Sequence, residues 1–339
     1  MNKIILIDGS NLLHRSLHVE EVFQLSYNGI KTGGVHSFIR SLMATCRAFK
    51  DFPIVFWDRG YSERRINLYP NYKKREDKKQ SQQAGIVPQG ELEFLDEYRK
   101  QRAIINRILD AFGVPGVILE NTEADDMINY FAVNHADKCS LIMSEDKDYI
   151  QLLDHVDLFR PMRKIYYTQN GNVSPSLINY SKIYNVKITN LEQMGFESTK
   201  QFIIAKSMQG DSSDNIPGVK GIGEVTAKKF SLEYVKNENW ITELKAKPKL
   251  GAYEKKLLAD LDGFNLAIDL IDLSREVISQ DRLDDINNQC KCAIRKDPDL
   301  ITLVGLFGEY GLNQIMGDLQ EHHKIIMMAK PDVKTLFGV

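Results

Sequence analysis

Cysteine is scarce in this chain. Cys46, Cys139, Cys290 and Cys292 are the only four in 339 residues, and only the last two are close, at a Cys-x-Cys spacing with no second pair to complete a zinc site. A disulfide framework is therefore not expected, and the thiols read as reduced and structural. Long apolar runs are also missing: no stretch of about 18 uncharged apolar residues occurs, so no membrane-spanning helix is expected. Met1-Asn2-Lys3 leads straight into the strand-like run Ile4-Ile5-Leu6-Ile7, which lacks the pattern of a secretion signal and points to the cytoplasm. Nor is there an excess of positive charge. The 44 Lys and Arg face 46 Asp and Glu, for a net charge of −2, so any basic surface has to be local and balanced by an acidic region elsewhere. What is abundant is core-forming material, at 43 % hydrophobic residues, enough for one large soluble domain or two modest ones.

Residues 1–170 alternate short β-branched runs with amphipathic stretches, the pattern of an α/β sheet with crossover helices. Strands are predicted at Lys3–Asp8, Ile54–Asp58, Gly116–Leu119, Ser140–Ser144 and Val156–Arg160. Helices are predicted at Val35–Phe49, at Glu91–Phe112, and from Thr122 to about Asn134. From about 180 onward the pattern is mostly helical, with turn clusters at Gly210–Gly223 and Lys247–Gly251 and no convincing strand alternation. The expected organisation is an α/β core over 1–180 and a helical region over 181–339. No internal repeat stands out.

The acids fall where such a sheet would gather them. Asp8 closes the first strand, Asp58 the second, Glu123, Asp125 and Asp126 open the helix after the third, and Asp146 and Asp148 follow the fourth. In open α/β sheets the carboxyl ends of the strands form the ligand crevice. Carboxylates crowded there repel one another unless a cation joins them. With no His or Cys among them, they suit Mg²⁺, with Mn²⁺ as a substitute, and the cluster is large enough for two ions that activate water against a phosphodiester. Single members have simpler explanations: Thr122 to Asp126 fits an N-cap with an acidic first turn, and Glu145 and Lys147 read as exposed loop charges. Capping does not explain acids at the strand ends on both sides.

Two further blocks carry chemistry. In the run from Gly210 to Gly223, Asp211 and Asp214 are three apart and would share one face of a helical turn, adding two ligands to the pocket. Gly218, Gly221 and Gly223 then form a tight hairpin whose backbone amides can approach a phosphate, with Lys220, Lys228 and Lys229 around it. An ordinary helix–turn–helix corner is the alternative for the glycines taken alone. The second block is 61–83, where Arg64, Arg65, Lys73, Lys74, Arg75, Lys78 and Lys79 outnumber Glu63, Glu76 and Asp77 and are interleaved with Tyr61, Tyr69 and Tyr72. A single strand, whose phosphates pair with Lys and Arg while its bases stack on the rings, fits that mixture. A solvated charged loop is the alternative.

Taken in order, Asp8, Asp58, Tyr72-Lys73-Lys74-Arg75, Glu123-Ala124-Asp125-Asp126, Asp146-Lys147-Asp148 and Gly210-Asp211-x-x-Asp214-Asn215-Ile216-Pro217-Gly218 resemble the flap endonuclease and 5′→3′ exonuclease family. The match covers about residues 1–235. It extends to free-standing phage members such as the T-even-phage ribonuclease H and to the 5′-nuclease domain of bacterial DNA polymerase I. The resemblance implies a PIN-like core sheet, a helical arch at about 61–100 that passes a 5′ single strand, and a helix–hairpin–helix at about 202–235 that grips duplex. It implies one metal held by Asp8, Asp58, Glu123, Asp125 and Asp126 and another by Asp146, Asp148, Asp211 and Asp214. Lys73 and Arg75 become catalytic, although Arg75 stands one residue closer to Tyr72 than the family's arch arginine usually does. Arg64, Arg65, Tyr72, Lys74, Lys78, Lys79, Gly218, Lys220, Gly221, Gly223 and Lys228 become nucleic-acid contacts, and a potassium ion on the hairpin carbonyls is a further implication.

The implied activity is removal of RNA primers and 5′ flaps from nicked or RNA-primed duplex by a free-standing monomer of phage or bacterial type. A PIN-type ribonuclease would share the early acids but lack the hairpin and the second aspartate pair. A non-catalytic junction-binding protein would have lost the acids. At the far end, Lys334 to Val339 carries a Leu336-Phe337 pair suited to docking on a sliding clamp or single-strand-binding protein, or else to packing on its own domain.

Overall fold

A computed structural model of the chain describes residues 3–74, 89–169, 171 and 173–337. Its centre is a seven-stranded sheet: β1 Ile4–Asp8, β2 Phe52–Trp57, β3 Gly116–Ile118, β4 Cys139–Met143, β5 Asp157–Arg160, β6 Ile165–Tyr167 and β7 Lys187–Thr189, in the spatial order β3-β2-β1-β4-β5-β6-β7. Every neighbouring pair is parallel except β5 with β6. The unbroken apolar runs Ile4 to Ile7 and Phe52 to Trp57 make this possible, because the inner strands of a parallel sheet are covered on both faces. All of those side chains except Pro53's are fully buried aliphatic or aromatic core.

The covering helices show the expected spacing. Helix Gly33–Phe49 buries Phe38, Ile39, Leu42, Met43 and Cys46 and ends at Lys50 in the left-handed region. Helices Gln89–Phe112 and Ala124–Asn134 complete the layers, and the five predicted strands lie within two residues of their observed bounds. The strand order turns back between β1 and β4, so the crevice of this sheet opens beyond Asp8 and Met143.

Three expectations need correction. The sheet does not stop near 180, since Lys187–Thr189 adds its last strand; strands of three residues are too short to show alternation. Asp211 and Asp214 do not share a helical turn: Gly210–Asp211 pairs antiparallel with Ile216–Pro217, and Asp214 lies in the turn between them. Finally, Leu336 is 2 % exposed, in helix Val333–Phe337 against helix Gln280–Ile294, and its carbonyl accepts from Lys138 Nζ at 3.1 Å. The terminal pair therefore packs on its own domain.

Beyond β7 the chain is helical apart from the hairpin at 210–217, and the apolar side chains of this part join those of the sheet in one continuous core. A separate small cluster, Tyr72 with Ile216, Ala267, Leu270 and Ile271, ties the segment after helix Glu63–Leu68 to the helical half. No helix among the described residues is long and apolar enough to cross a membrane.

Candidate metal centre and nucleic-acid interface

Asp8 is both the end of β1 and the N-cap of helix Gly9–Leu17, where its Oδ1 accepts from Asn11 N at 3.0 Å. Its Oδ2 accepts from Ser144 Oγ at 3.0 Å and Tyr149 OH at 3.1 Å. Burial, with Asp58 and Asp146 nearby, pushes this carboxyl up to about 8 despite those donors. Asp58 follows β2, and its Oδ1 accepts from Ala124 N at 2.6 Å. It is pushed up to about 6 by burial, with Lys73 opposing and Glu123 and Asp125 adding to the rise. Asp146 belongs to the same group through the field it exerts on Asp8; its Oδ1 accepts from Asp148 N at 2.9 Å.

Glu123, Asp125 and Asp126 sit at the start of helix Ala124–Asn134, with one oxygen from each within 4.8 Å of the others. The run was expected as an N-cap with an acidic first turn; the cap is Glu123, which forms a capping box with Asp126. The same acids are also clamped from outside the helix. Arg65 Nη1 bonds Glu123 Oε2, while its Nη2 lies 2.8 Å from Asp126 and 3.3 Å from Asp125. Lys73 Nζ donates to Glu123 Oε1 at 2.6 Å and Tyr72 OH to Glu123 Oε2 at 2.9 Å. Asp126 Oδ1, although buried beside Arg65, receives no aligned hydrogen bond.

The hairpin side brings Asp148, Asp211 and Asp214. Burial and Asp146 push Asp148 up to about 7 against the pull of Lys206. Asp214 rises to about 6 through burial, with Lys73 opposing and Asp211, Glu123 and Asp146 reinforcing. Burial also acts on Asp211, but Lys206 and Ser213 outweigh it and hold that carboxyl below its usual range. The nine acids are thus brought into one electrostatically connected group, from three strand ends, a helix start and a hairpin.

Among the described residues, three basic side chains enter this group. Two of them, Arg65 and Lys206, were not read as part of it. Arg65 was expected on the nucleic-acid face; it is 1 % exposed and enclosed by acids, so it offers no donor to a phosphate. Lys206 bonds Asp148 and lies 3.0 Å from Asp211. A lysine in the last turn of a helix is ordinarily accounted for by the helix dipole, so its sequence position gave no signal. Tyr149 was missed too, being one aromatic in a 3₁₀ turn. Glu145, expected as a loop charge, is 4 % exposed and faces Arg160 and the amide of Met162.

The remaining expected contacts divide. Tyr72 and Lys73 lie beside Glu123, with Lys73 in the left-handed region at φ 54°. That conformation is fixed by the hairpin: Lys73 N donates to Asp214 O at 2.8 Å, and Asn215 Nδ2 to Asn71 O at 2.8 Å. Lys74 is exposed. Arg64 is turned to Glu276 at 2.9 Å, joining the two halves rather than facing outward. Arg75, Lys78 and Lys79 lie outside the described residues, as does most of the expected arch.

In the hairpin, a Cβ on Gly218 would come 2.2 Å from Gln209 O, and Gly221 has φ +76°, so both positions require glycine. Gly223 precedes helix Glu224–Tyr234 with no side chain capping its amides. Lys220 and Lys229 are exposed beside it. Lys228 instead donates to Met194 O and lies over the Phe196 ring at 5.2 Å, so the expected phosphate contact is turned inward.

Residues 3–176 match the 5′-3′ exonuclease N-terminal resolvase-like domain, and 197–292 the 5′-3′ exonuclease C-terminal SAM fold. The 5′-3′ exonuclease of Bacillus subtilis is 32 % identical over 254 residues, covering 73 % of this chain and 76 % of that one. The chain belongs to the 5′-3′ exonuclease family. Among solved structures, the 5′-exonuclease of phage T5 with bound divalent zinc superposes with a TM-score of 0.60 at 23 % identity, over 95 % of this chain and 100 % of that one. The T5 D15 flap endonuclease in a product-like complex with DNA and metal ions gives a TM-score of 0.57 at 22 % identity, over 95 % and 99 %. The fold is therefore that of the flap endonuclease and 5′-3′ exonuclease family: a mostly parallel sheet flanked by helices, followed by a helical domain. A 5′-3′ exonuclease is the class of nuclease this membership defines.

Proposed function

We propose that this protein is a structure-dependent 5′-nuclease that hydrolyses phosphodiester bonds at the junction of a 5′ single strand and a duplex, using two divalent cations. One observation carries the reading: nine carboxylates gather at the point where the strand order turns back, and burial together with neighbouring acids pushes up Asp8, Asp58, Asp126, Asp148 and Asp214. With every acid ionised, nine carboxylates against three basic side chains among the described residues leave six negative charges for external cations to meet. An all-oxygen donor set of this kind suits Mg²⁺, or Mn²⁺ in its place, better than zinc.

Asp8, Asp58, Glu123, Asp125 and Asp126 would hold one ion, and Asp146, Asp148, Asp211 and Asp214 the other. Bound there, the ions would supply an activated water and charge neutralisation at the scissile phosphate. The chain's own residues do the rest. Tyr149 and Ser144 orient Asp8 by hydrogen bonds, and Ala124 N orients Asp58. Lys73, fixed by its backbone bond to Asp214, stands at the edge of the cluster, where its ammonium can meet negative charge developing on phosphate. Gly218, Gly221, Gly223 and Lys220 grip the duplex backbone without reading sequence, and a potassium ion on the hairpin carbonyls belongs to the same proposal. Segment 61–100, including Arg75, Lys78 and Lys79, would take the 5′ strand. The DNA- and metal-bound T5 enzyme supports this assignment by its shared fold.

Primer removal, and with it cleavage of RNA in RNA–DNA duplex, follows if the 5′ strand is held mainly by its phosphates. A 5′-labelled flap, an RNA-primed duplex and a single-stranded RNA, each with Mg²⁺ and with chelator, test the whole reading. Mg²⁺-dependent cutting at the junction of the first two is expected. Equal cutting of the single-stranded RNA would favour a PIN-type ribonuclease, and tight flap binding without cutting a junction-binding protein.

A further inference from the structure

The acids on the hairpin side are already joined by a cation that belongs to the chain. Lys206 extends from the last turn of helix Thr199–Gln209, whose neighbouring Ala205, Ser207 and Met208 are buried and fix its direction. Its ammonium bonds Asp148 and lies 3.0 Å from Asp211, so it bridges carboxylates from the sheet half and the helical half. Among the described residues, no Lys or Arg makes an ion pair with Asp8, Asp58 or Asp146. Those acids are met instead by hydroxyls and backbone amides. The carboxylates are therefore unequal before any ion arrives: Asp8, Asp58 and Asp146 carry no ion pair among the described residues, whereas an ammonium already holds Asp148 and Asp211, two of the acids assigned to the second ion.

Resting on the metal reading above, we propose that Lys206 is a built-in competitor for the second divalent cation, which binds between Asp148 and Asp211 only when Lys206 leaves them. A lysine suits this role because its charge sits on a flexible four-carbon stem and can move while the helix stays in place. Side-chain exposure of 18 % leaves it a path outward. The displaced ammonium needs a new anionic partner, and the phosphate of an incoming strand supplies one. Substrate and second ion then favour each other's binding, and the coupling is reciprocal. The site would thus be fully charged with metal only when a strand is in place.

The test is a Mn²⁺ titration of the full-length chain, followed by the electron paramagnetic resonance signal of free Mn²⁺. The wild type should show a tighter and a weaker class of site. Lys206→Gln, or Lys206→Met as a second neutral variant that keeps the aliphatic stem, should tighten the weaker class by about tenfold or more and leave the other unchanged. Lys206→Arg keeps the charge and should leave the weaker class weak. Adding a duplex with a nuclease-resistant phosphorothioate 5′ tail should tighten the weaker class more in the wild type than in either neutral variant. Neutral variants with wild-type affinity for both classes, or an arginine variant that tightens as they do, would overturn the inference while leaving the metal reading intact. A wild type that binds no Mn²⁺, or binding that survives Asp8→Asn combined with Asp146→Asn, would remove the metal reading and the inference together.

Discussion

Two groups of acids meet around the first strands of this sheet, and the chain treats them differently. Glu123, Asp125 and Asp126 are the tighter group, with oxygens within 4.8 Å of one another, yet they are answered from within. Arg65 reaches all three, Lys73 reaches Glu123, and the helix start takes up Glu123 and Asp126 in a capping box. Asp8, Asp58 and Asp146 are more loosely grouped and have only neutral donors, with Asp8 pushed up to about 8. Proximity of carboxylates alone is therefore a poor guide to where a cation is required. What separates the groups is whether the chain provides the opposite charge, and by that measure the strand-end group depends more on an external ion.

The largest effect should come from the strand-end group. Asp8→Asn or Asp146→Asn should lower kcat on a flap substrate on the order of 10³-fold, and Asp8→Asn should abolish the tighter class of Mn²⁺ binding. Asp126→Asn, still capping its helix, should keep that class measurable. Loss of Mn²⁺ binding in Asp126→Asn and its retention in Asp8→Asn would reverse the comparison. The next effect belongs to the self-answered group. Arg65→Met leaves buried acids without their counter-ion, and it should lower metal-free stability by about 3–5 kcal/mol in urea unfolding. Added Mg²⁺ should recover part of that loss. A variant as stable as wild type would mean that the three acids do not need Arg65.

Much of this was readable from the residues in order. Asp8, Asp58 and Asp146 stand where apolar runs end, and strand ends on one edge of a parallel sheet must converge. The glycines at 218 and 221 were legible for a similar reason, since close backbone approach and a positive φ restrict the residue type. The basic residues misled. Arg64, Arg65 and Lys228 have the composition of a phosphate-binding surface, but whether a long cationic side chain turns outward or folds back on the chain depends on partners distant in sequence: Glu276 for Arg64, Glu123 for Arg65 and the Met194 carbonyl for Lys228. Lys206 and Tyr149 were invisible for the same reason: their roles lie wholly in what the fold sets against them. The last strand, Lys187–Thr189, escaped because three residues carry no period.

A smaller kinetic effect is expected where the two groups meet. Lys73 pairs with Glu123 and adjoins Asp58 and Asp214, so Lys73→Ala should reduce kcat on the order of 10²-fold with little change in flap affinity. An unchanged kcat with weakened binding would make Lys73 a strand-holding residue instead.

The smallest effect is thermal and depends on pH. Asp8 is held up to about 8, Asp148 to about 7, and Asp58 and Asp214 to about 6, all above the unfolded value of about 3.9. Between those limits the folded chain binds more protons than the unfolded one, so this part of its stability is complete below the unfolded value and is lost as pH rises through the folded values. Without metal, the melting temperature should therefore fall between about pH 5 and about pH 8, by on the order of 5 °C. Mg²⁺ favours the ionised acids, so the rise in melting temperature it produces should be larger at the upper end of that range than at the lower. Differential scanning calorimetry with and without Mg²⁺ reads both slopes. A metal-free melting temperature that climbs across the range would mean that the fold already stabilises the ionised form of these four acids, and the two groups would then be alike.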